Sequence, residues 1–421
     1  MKVENRWEIV ISGGLRVLTL GSKLLFILIL GWSLPLSELG LYGLMASFTS
    51  YAIYFIGFET HSYVNRLGIG SEPDHWHYLI SKQLGLFVLT IAIFIPSAYL
   101  LSFSGFLDKN YFIYFILITL VEHFGQESYR TLIALRDQLA ASILLFVRSA
   151  LWTYIIVLFV LLGMNVNIDL IFKYWFSFGL VTSIISYLYI SIKFCNKRIV
   201  IPKINFIWMI NALKTAFWYL LGTLILRFVQ VFDRYLVGVI DTKDALGLYV
   251  FYTSLAISAG AVFIFLGPSR IYPQLILAIK AGDGTLYRRI KKKLLLSTIF
   301  ISTSFFVGIP LSLLIAGKFS DNPLFKLEGN SVLLGLVMCT IIVNALNLAL
   351  QYILYSHGKD KEILYTNILS FLIAILFLCG CWLFNEIISI TIVVGVIIFY
   401  ILGCISKVIY IKAIEDGNGK L

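Results

Sequence analysis

Apolar residues arrive in long blocks along this chain, and polar residues collect in the gaps. A helix needs about 20 apolar residues to cross hydrocarbon. Twelve blocks reach that length, at 9–31, 40–58, 83–103, 111–130, 143–163, 171–192, 211–238, 245–267, 294–316, 331–356, 363–384 and 389–411. The pattern predicts an all-α integral membrane protein with twelve transmembrane helices.

The gaps set the orientation. With the N-terminus on the cytoplasmic side, the cytoplasmic tails and loops hold 22 Lys and Arg. The opposite loops hold only Lys109, Lys243, Lys318 and Lys326. That asymmetry places both termini in the cytoplasm. The longest cytoplasmic gap is expected as a loop over 268–293, ending in Tyr287-Arg288-Arg289-Ile290-Lys291-Lys292-Lys293. Its cations read as a topology anchor against anionic lipid heads.

One four-residue word occurs twice. Leu39-Gly40-Leu41-Tyr42 returns as Leu246-Gly247-Leu248-Tyr249, and the same offset lays Gly31 on Gly238. Block 1 then falls on block 7 and block 2 on block 8. Six helices is an even number, so both halves start on the same side of the membrane. The expectation is two six-helix bundles related as parallel repeats, residues 1–198 and 199–421.

Composition agrees with the block pattern. The 421 residues are 60% hydrophobic and 13% charged, with a mean hydropathy of +0.92. Soluble domains carry about 25% charged residues. The net charge of +11 sits in the gaps, so it describes membrane orientation and gives no reason to expect nucleic acid. Cys195, Cys339, Cys379, Cys381 and Cys404 read as small apolar residues without disulfides. The first block is too long for a cleaved signal. No GxxxxGK[ST], HExxH or GxSxG occurs, so neither an enzyme nor a cofactor is expected. Glu59, His61, Glu72, Asp74, His75 and His77 share the first cytoplasmic gap, read as a solvated loop with no metal.

Charges inside the blocks change the picture. An intramembrane cation costs roughly 2.5–3.5 kcal/mol on insertion scales, so each needs a reason. Lys173 and Lys214 lie near block starts and read as snorkelling side chains. Arg16, Thr19 and Lys23 form a stripe in block 1, and Arg227, Gln230 and Arg234 form one with the same spacing in block 7. Block 4 carries Glu122, His123, Gln126, Glu127 and Arg130, and block 10 carries Asn344, Asn347, Gln351 and Tyr355. Four polar stripes predict a shared wet cavity. Glu122, Glu127 and Asp233 can neutralise three cations as interhelical pairs. Arg16, Lys23, Arg148, Arg227 and Arg234 outnumber them, which points to an anionic passenger with phosphate or carboxylate groups. His123, between Glu122 and Glu127, suits a proton-coupling site, with a structural buried histidine as the plainer reading.

Several motifs together resemble one family. They are Leu39-Gly40-Leu41-Tyr42, Phe232-Asp233-Arg234-Tyr235, Ala245-Leu246-Gly247-Leu248-Tyr249, and Pro268-Ser269-Arg270-Ile271-Tyr272-Pro273-Gln274-Leu275 followed by Ala281-Gly282-Asp283. They are similar to those of the lipid-linked oligosaccharide (O-antigen) flippases of the multidrug/oligosaccharidyl-lipid/polysaccharide exporter superfamily. The resemblance implies a multi-pass protein of the bacterial inner membrane. It would move an undecaprenyl-pyrophosphate-linked repeat unit by alternating access, with membrane lipids and other polysaccharide-assembly proteins as partners. In that scheme Arg16, Lys23, Arg148, Arg227 and Arg234 bind the anionic head. Gln230, Asn344, Asn347 and Gln351 contact sugar hydroxyls. Glu122, His123, Glu127 and Asp233 couple to H+ or Na+. A cation-coupled multidrug or small-molecule exporter of the same superfamily is the alternative, though the cation excess suits cationic drugs poorly. A polysaccharide polymerase or acyltransferase is a third reading. The short external loops, the longest at 317–330, count against it.

Overall fold

The computed structural model describes residues 6–68, 71–103, 109–135, 137–266, 268–318, 324, 331–384 and 388–417. The elements in order are α1 (Arg6–Ser33), α2 (Leu36–Gly57), α3 (His61–Gly68), α4 (Pro73–Phe103), α5 (Phe112–Ala134), α6 (Gln138–Phe146), α7 (Trp152–Leu161) and α8 (Ile168–Phe194). They continue with α9 (Phe206–Ile240), α10 (Lys243–Leu266), α11 (Pro268–Lys280), α12 (Gly284–Gly317), α13 (Ser331–Ser356), α14 (Asp360–Leu383) and α15 (Ser389–Gly417). A π-helical turn, Val147–Leu151, joins α6 to α7 into one span. No strand occurs among the described residues.

Ten helical spans are long and apolar enough to cross a membrane, and α9, bent between Phe217 and Leu220, makes an eleventh. The twelfth predicted helix is α5, 23 residues long, which carries the Glu122–Arg130 polar group and is not among those apolar spans. That load lowers its hydropathy without shortening it. The twelve predicted helices are therefore present, with α3 and α11 as short additional helices. The expected loop over 268–293 proves to be α11 and the first turns of α12. Asp283 caps α12 by accepting from the Leu286 N–H at 2.9 Å. Hydropathy marks where a helix enters hydrocarbon and says nothing of the turns outside it. The predicted external loop 317–330 lies mostly outside the described residues.

The repeat is visible in element boundaries. α1 ends at Ser33 and α9 at Ile240; α2 starts at Leu36 and α10 at Lys243; α3 starts at His61 and α11 at Pro268. Each pair is offset as Gly40 is from Gly247.

The chain forms two compact units, Met1–Ile29 with Met45–Leu224, and Leu30–Leu44 with Ile225–Leu421. In the first, the segment between α8 and α9 is tied across α4. Lys203 N–H donates to the Ser81 carbonyl at 2.9 Å, and Ser81 Oγ donates to the Ile201 carbonyl at 2.6 Å. In the second, residues 30–44 pack on the end of α9 and on α10, and glycines permit the contact. A Cβ on Gly247 would stand 2.1 Å from the Leu36 carbonyl oxygen, and one on Gly43 would stand 2.2 Å from a Val250 methyl. A Cβ on Gly40 would come within 3.2 Å of the Gly247 nitrogen. Small residues allow membrane helices to approach this closely, where dispersion does the work that water expulsion does in soluble proteins.

Candidate functional site

The first unit holds two buried polar groups. One is built on the π-helical turn. A π turn inserts a residue into the helix and re-aims its side chains. Here it aims Arg148 at α5, where Gly125 makes room: a Cβ there would meet Arg148 Cδ at 2.6 Å. The Arg148 guanidinium donates to the Glu122 carbonyl oxygen at 3.2 Å, and its Nε lies 3.5 Å from the Glu122 carboxylate. Trp175 Nε1 donates to the same carboxylate at 2.7 Å. The Trp175 ring stacks on Trp152, whose Nε1 donates to the Arg148 carbonyl. Arg148 and Glu122, predicted for separate roles, thus form one pair.

The other group joins α2, α3, α4 and α5. Arg130 donates to Glu127 at 2.7 Å and to Glu59 at 3.4 Å. Gln83 Nε2 donates to Glu127 at 2.9 Å, and His61 Nδ1 stands 2.9 Å from Glu59. Glu59 is only 2% exposed, although its segment reads as a solvated loop. α3 starts two residues later, and its His61 and the Arg130 of α5 stand against the Glu59 carboxylate. His123 is fully buried, edge-on to Phe87 at 4.4 Å, with Gly57 against its Cε1 side. Glu127 directs its hydrogen bonds to Arg130 and Gln83. Arg16, half-buried on α1, donates to Ser142 Oγ at 3.3 Å. Lys23, Lys173 and Lys214 are exposed.

In the second unit, Asp233 Oδ1 accepts from the Arg234 N–H at 2.7 Å, and Tyr249 OH donates to Oδ2 at 2.8 Å. Asp233 also borders an apolar crevice with Phe228, Phe232, Phe371 and Phe399. Arg234 is buried, and its guanidinium reaches the Gly43 carbonyl at 3.5 Å. Arg227 is half-buried, about two helical turns earlier. Gln230 lies on the same helix, with its side chain outside the described set. On α13, Asn344 and Gln351 are half-buried and Tyr355 is exposed. Asn347 is buried and accepts from Lys407 Nζ at 2.6 Å. The 22 Lys and Arg read as cytoplasmic include Lys407, which lies fully buried inside α15. Its position within the last apolar block is the signal that could have found it.

The basic start of α12 lines a cavity of about 650 Å³ with His357, Glu415 and Asp416. Lys291 Nζ pairs with Glu415 at 2.5 Å, Tyr287 OH contacts Glu415 at 3.2 Å, and His357 Nε2 meets Tyr287 OH at 3.1 Å. Burial lowers the His357 pKa, against Glu415, which raises it; Lys291 and Lys359 add to the lowering. A lowered histidine pKa means that the unfolded chain binds the proton more readily. The stability this residue contributes is present above the unfolded pKa of about 6.5 and is lost as pH falls through the folded value. Melting temperature should therefore drop on acidification below about pH 6.5, and His357→Gln should flatten that slope in the same thermal scan.

No group of three or more His, Cys, Asp or Glu suited to a metal occurs among the described residues. All five cysteines are free.

No protein-family profile matches the chain, and no curated protein does. Solved structures do match. An inward-facing multidrug resistance MATE family transporter of the MOP superfamily aligns with a TM-score of 0.70 at 13% identity, over 95% of this chain and 96% of the other. An outward-facing structure of a multidrug resistance MATE family transporter gives 0.61 at 12% identity, over 98% and 95%. A Vibrio cholerae MATE transporter mutant gives 0.56 at 14% identity, over 99% and 100%. The chain has the MATE-like fold of twelve transmembrane helices in two bundles and is a multi-pass membrane protein.

Proposed function

We propose that the chain is a flippase of the bacterial inner membrane that carries an undecaprenyl-pyrophosphate-linked oligosaccharide by alternating access. The observation that carries this reading is the number of cations on the first helix of each repeat, Arg16 and Lys23 on α1, Arg227 and Arg234 on α9. Glu122 pairs with Arg148, Glu59 and Glu127 pair with Arg130, and Asp233 accepts from Tyr249 and from the Arg234 N–H. An anionic head suits such a set, because guanidinium and ammonium groups bind pyrophosphate directly. Asn344 and Gln351 supply hydrogen bonds to sugar hydroxyls. Proton or sodium coupling falls to Glu122, His123, Glu127 and Asp233. The multidrug transporters that share the fold favour a second reading, a small-molecule exporter.

Gene deletion in the host separates the two. Loss of surface polysaccharide with lipid-linked intermediates retained inside supports the flippase. Intact polysaccharide with increased drug sensitivity supports the exporter. Lys23→Ala and Arg227→Ala should each cut polysaccharide export at least several-fold at unchanged protein level. Wild-type export in the double variant would remove these cations from the mechanism.

A further inference from the structure

Lys407 has no role in the reading above, and its surroundings are unusual for a lysine. It is 0% exposed, inside α15. Its Nζ donates to Asn347 Oδ1 on α13 at 2.6 Å and to Asn367 Oδ1 on α14 at 3.1 Å. The three helices thus meet on one ammonium. Gly403, one turn before it, keeps the approach open, since a Cβ there would stand 2.8 Å from Asn347 Oδ1.

The charged and titratable neighbours can be named helix by helix. α13 offers the Asn347 amide and α14 the Asn367 amide. α15 itself offers the Cys404 thiol, which donates to the Val343 carbonyl at 3.6 Å. Farther along α15, Glu415 is engaged with Lys291 and Tyr287 of α12. Among the described residues no carboxylate is recorded in an ion pair with Lys407. A buried ammonium held only by neutral oxygens lacks the counter-charge that normally keeps such a group protonated.

A second observation is independent of the first. Asn367 is 1% exposed, and its Nδ2 is buried with no hydrogen-bond partner. A primary amide has an acceptor end and a donor end. With Oδ1 turned to Lys407, Asn367 accepts from an ammonium and its donor end is unsatisfied. With the amide turned over, Nδ2 donates to the lone pair of a neutral amine. The same three side chains can therefore hold either protonation state.

We propose that Lys407, Asn347 and Asn367 form a proton-binding site within the second unit. On release, an Nζ–H bond breaks, the proton passes to water, and the remaining lone pair accepts from Asn367 Nδ2. On uptake the steps reverse, so no other reactant is needed. The site does not depend on which molecule the chain carries.

The test is nitrogen NMR of the full-length protein labelled with ¹⁵N-lysine, in lipid bilayers, from pH 6 to pH 9. Exposed lysines stay protonated there, their pKa being about 10.4. One Nζ resonance should move from the ammonium to the amine position across the range. Lys407→Arg, which keeps a cation at the site, should remove that resonance and so assign it. Asn367→Asp supplies a counter-charge and should hold the resonance in the ammonium form throughout. A Lys407 signal that stays in one form across the range overturns the proposal. So does an Asn367→Asp protein that titrates like the wild type.

Discussion

Gly247→Ala should destabilise the protein by about 3 kcal/mol or more, at the upper end of what overpacking costs. The added methyl would lie 2.1 Å from the Leu36 carbonyl oxygen. That obstacle is backbone, held in the first turn of α2, so no side-chain rotation relieves it. α2 and α10 must separate, and the contacts of Gly40 and Gly43 go with them. Gly260→Ala on the same helix is the control, since nothing lies within 4 Å of its Cβ position. That change should be neutral or slightly stabilising, as alanine is favoured over glycine in a helix by about 1 kcal/mol. Thermal melts of both variants in one detergent decide the matter. Equal melting temperatures would mean that the close approach is not required.

Arg148→Met should cost a comparable amount, about 3–5 kcal/mol, because it leaves the Glu122 carboxylate buried without its cation. Glu122→Gln should also destabilise, with Arg148 then the uncompensated charge. The combination of both changes should recover much of the loss, since a buried pair removed together takes its desolvation cost with it. Denaturant unfolding of the four proteins gives the coupling directly. Additive losses would show that Arg148 and Glu122 act separately, despite their 3.5 Å approach.

Much of the architecture was legible from the sequence, for a physical reason. Hydrocarbon demands long apolar blocks, and the gaps are then forced into view. The repeated Leu-Gly-Leu-Tyr word proved to mark matching helix starts. Partners within the bilayer were less legible. Arg148 and Glu122 are 26 residues apart, and the π-helical turn that brings them together leaves no mark in a hydropathy profile. Glu59 reads as solvated because its segment is polar, yet His61 and Arg130 stand against its buried carboxylate. Lys407 looked like part of a basic tail because a charge near the end of an apolar block reads as the end of that block. Asn347 looked ready for sugar because its stripe is polar, while its own position on the stripe turns toward α15.

Gly40 meets Gly247, and Gly43 meets Val250. In each case the two positions are counterparts in the internal repeat. Both contacts lie inside the second unit, because residues 30–44 belong to it. A substitution at 40 or 43 therefore acts on the packing of the second unit, although either position precedes most of the first unit in the sequence.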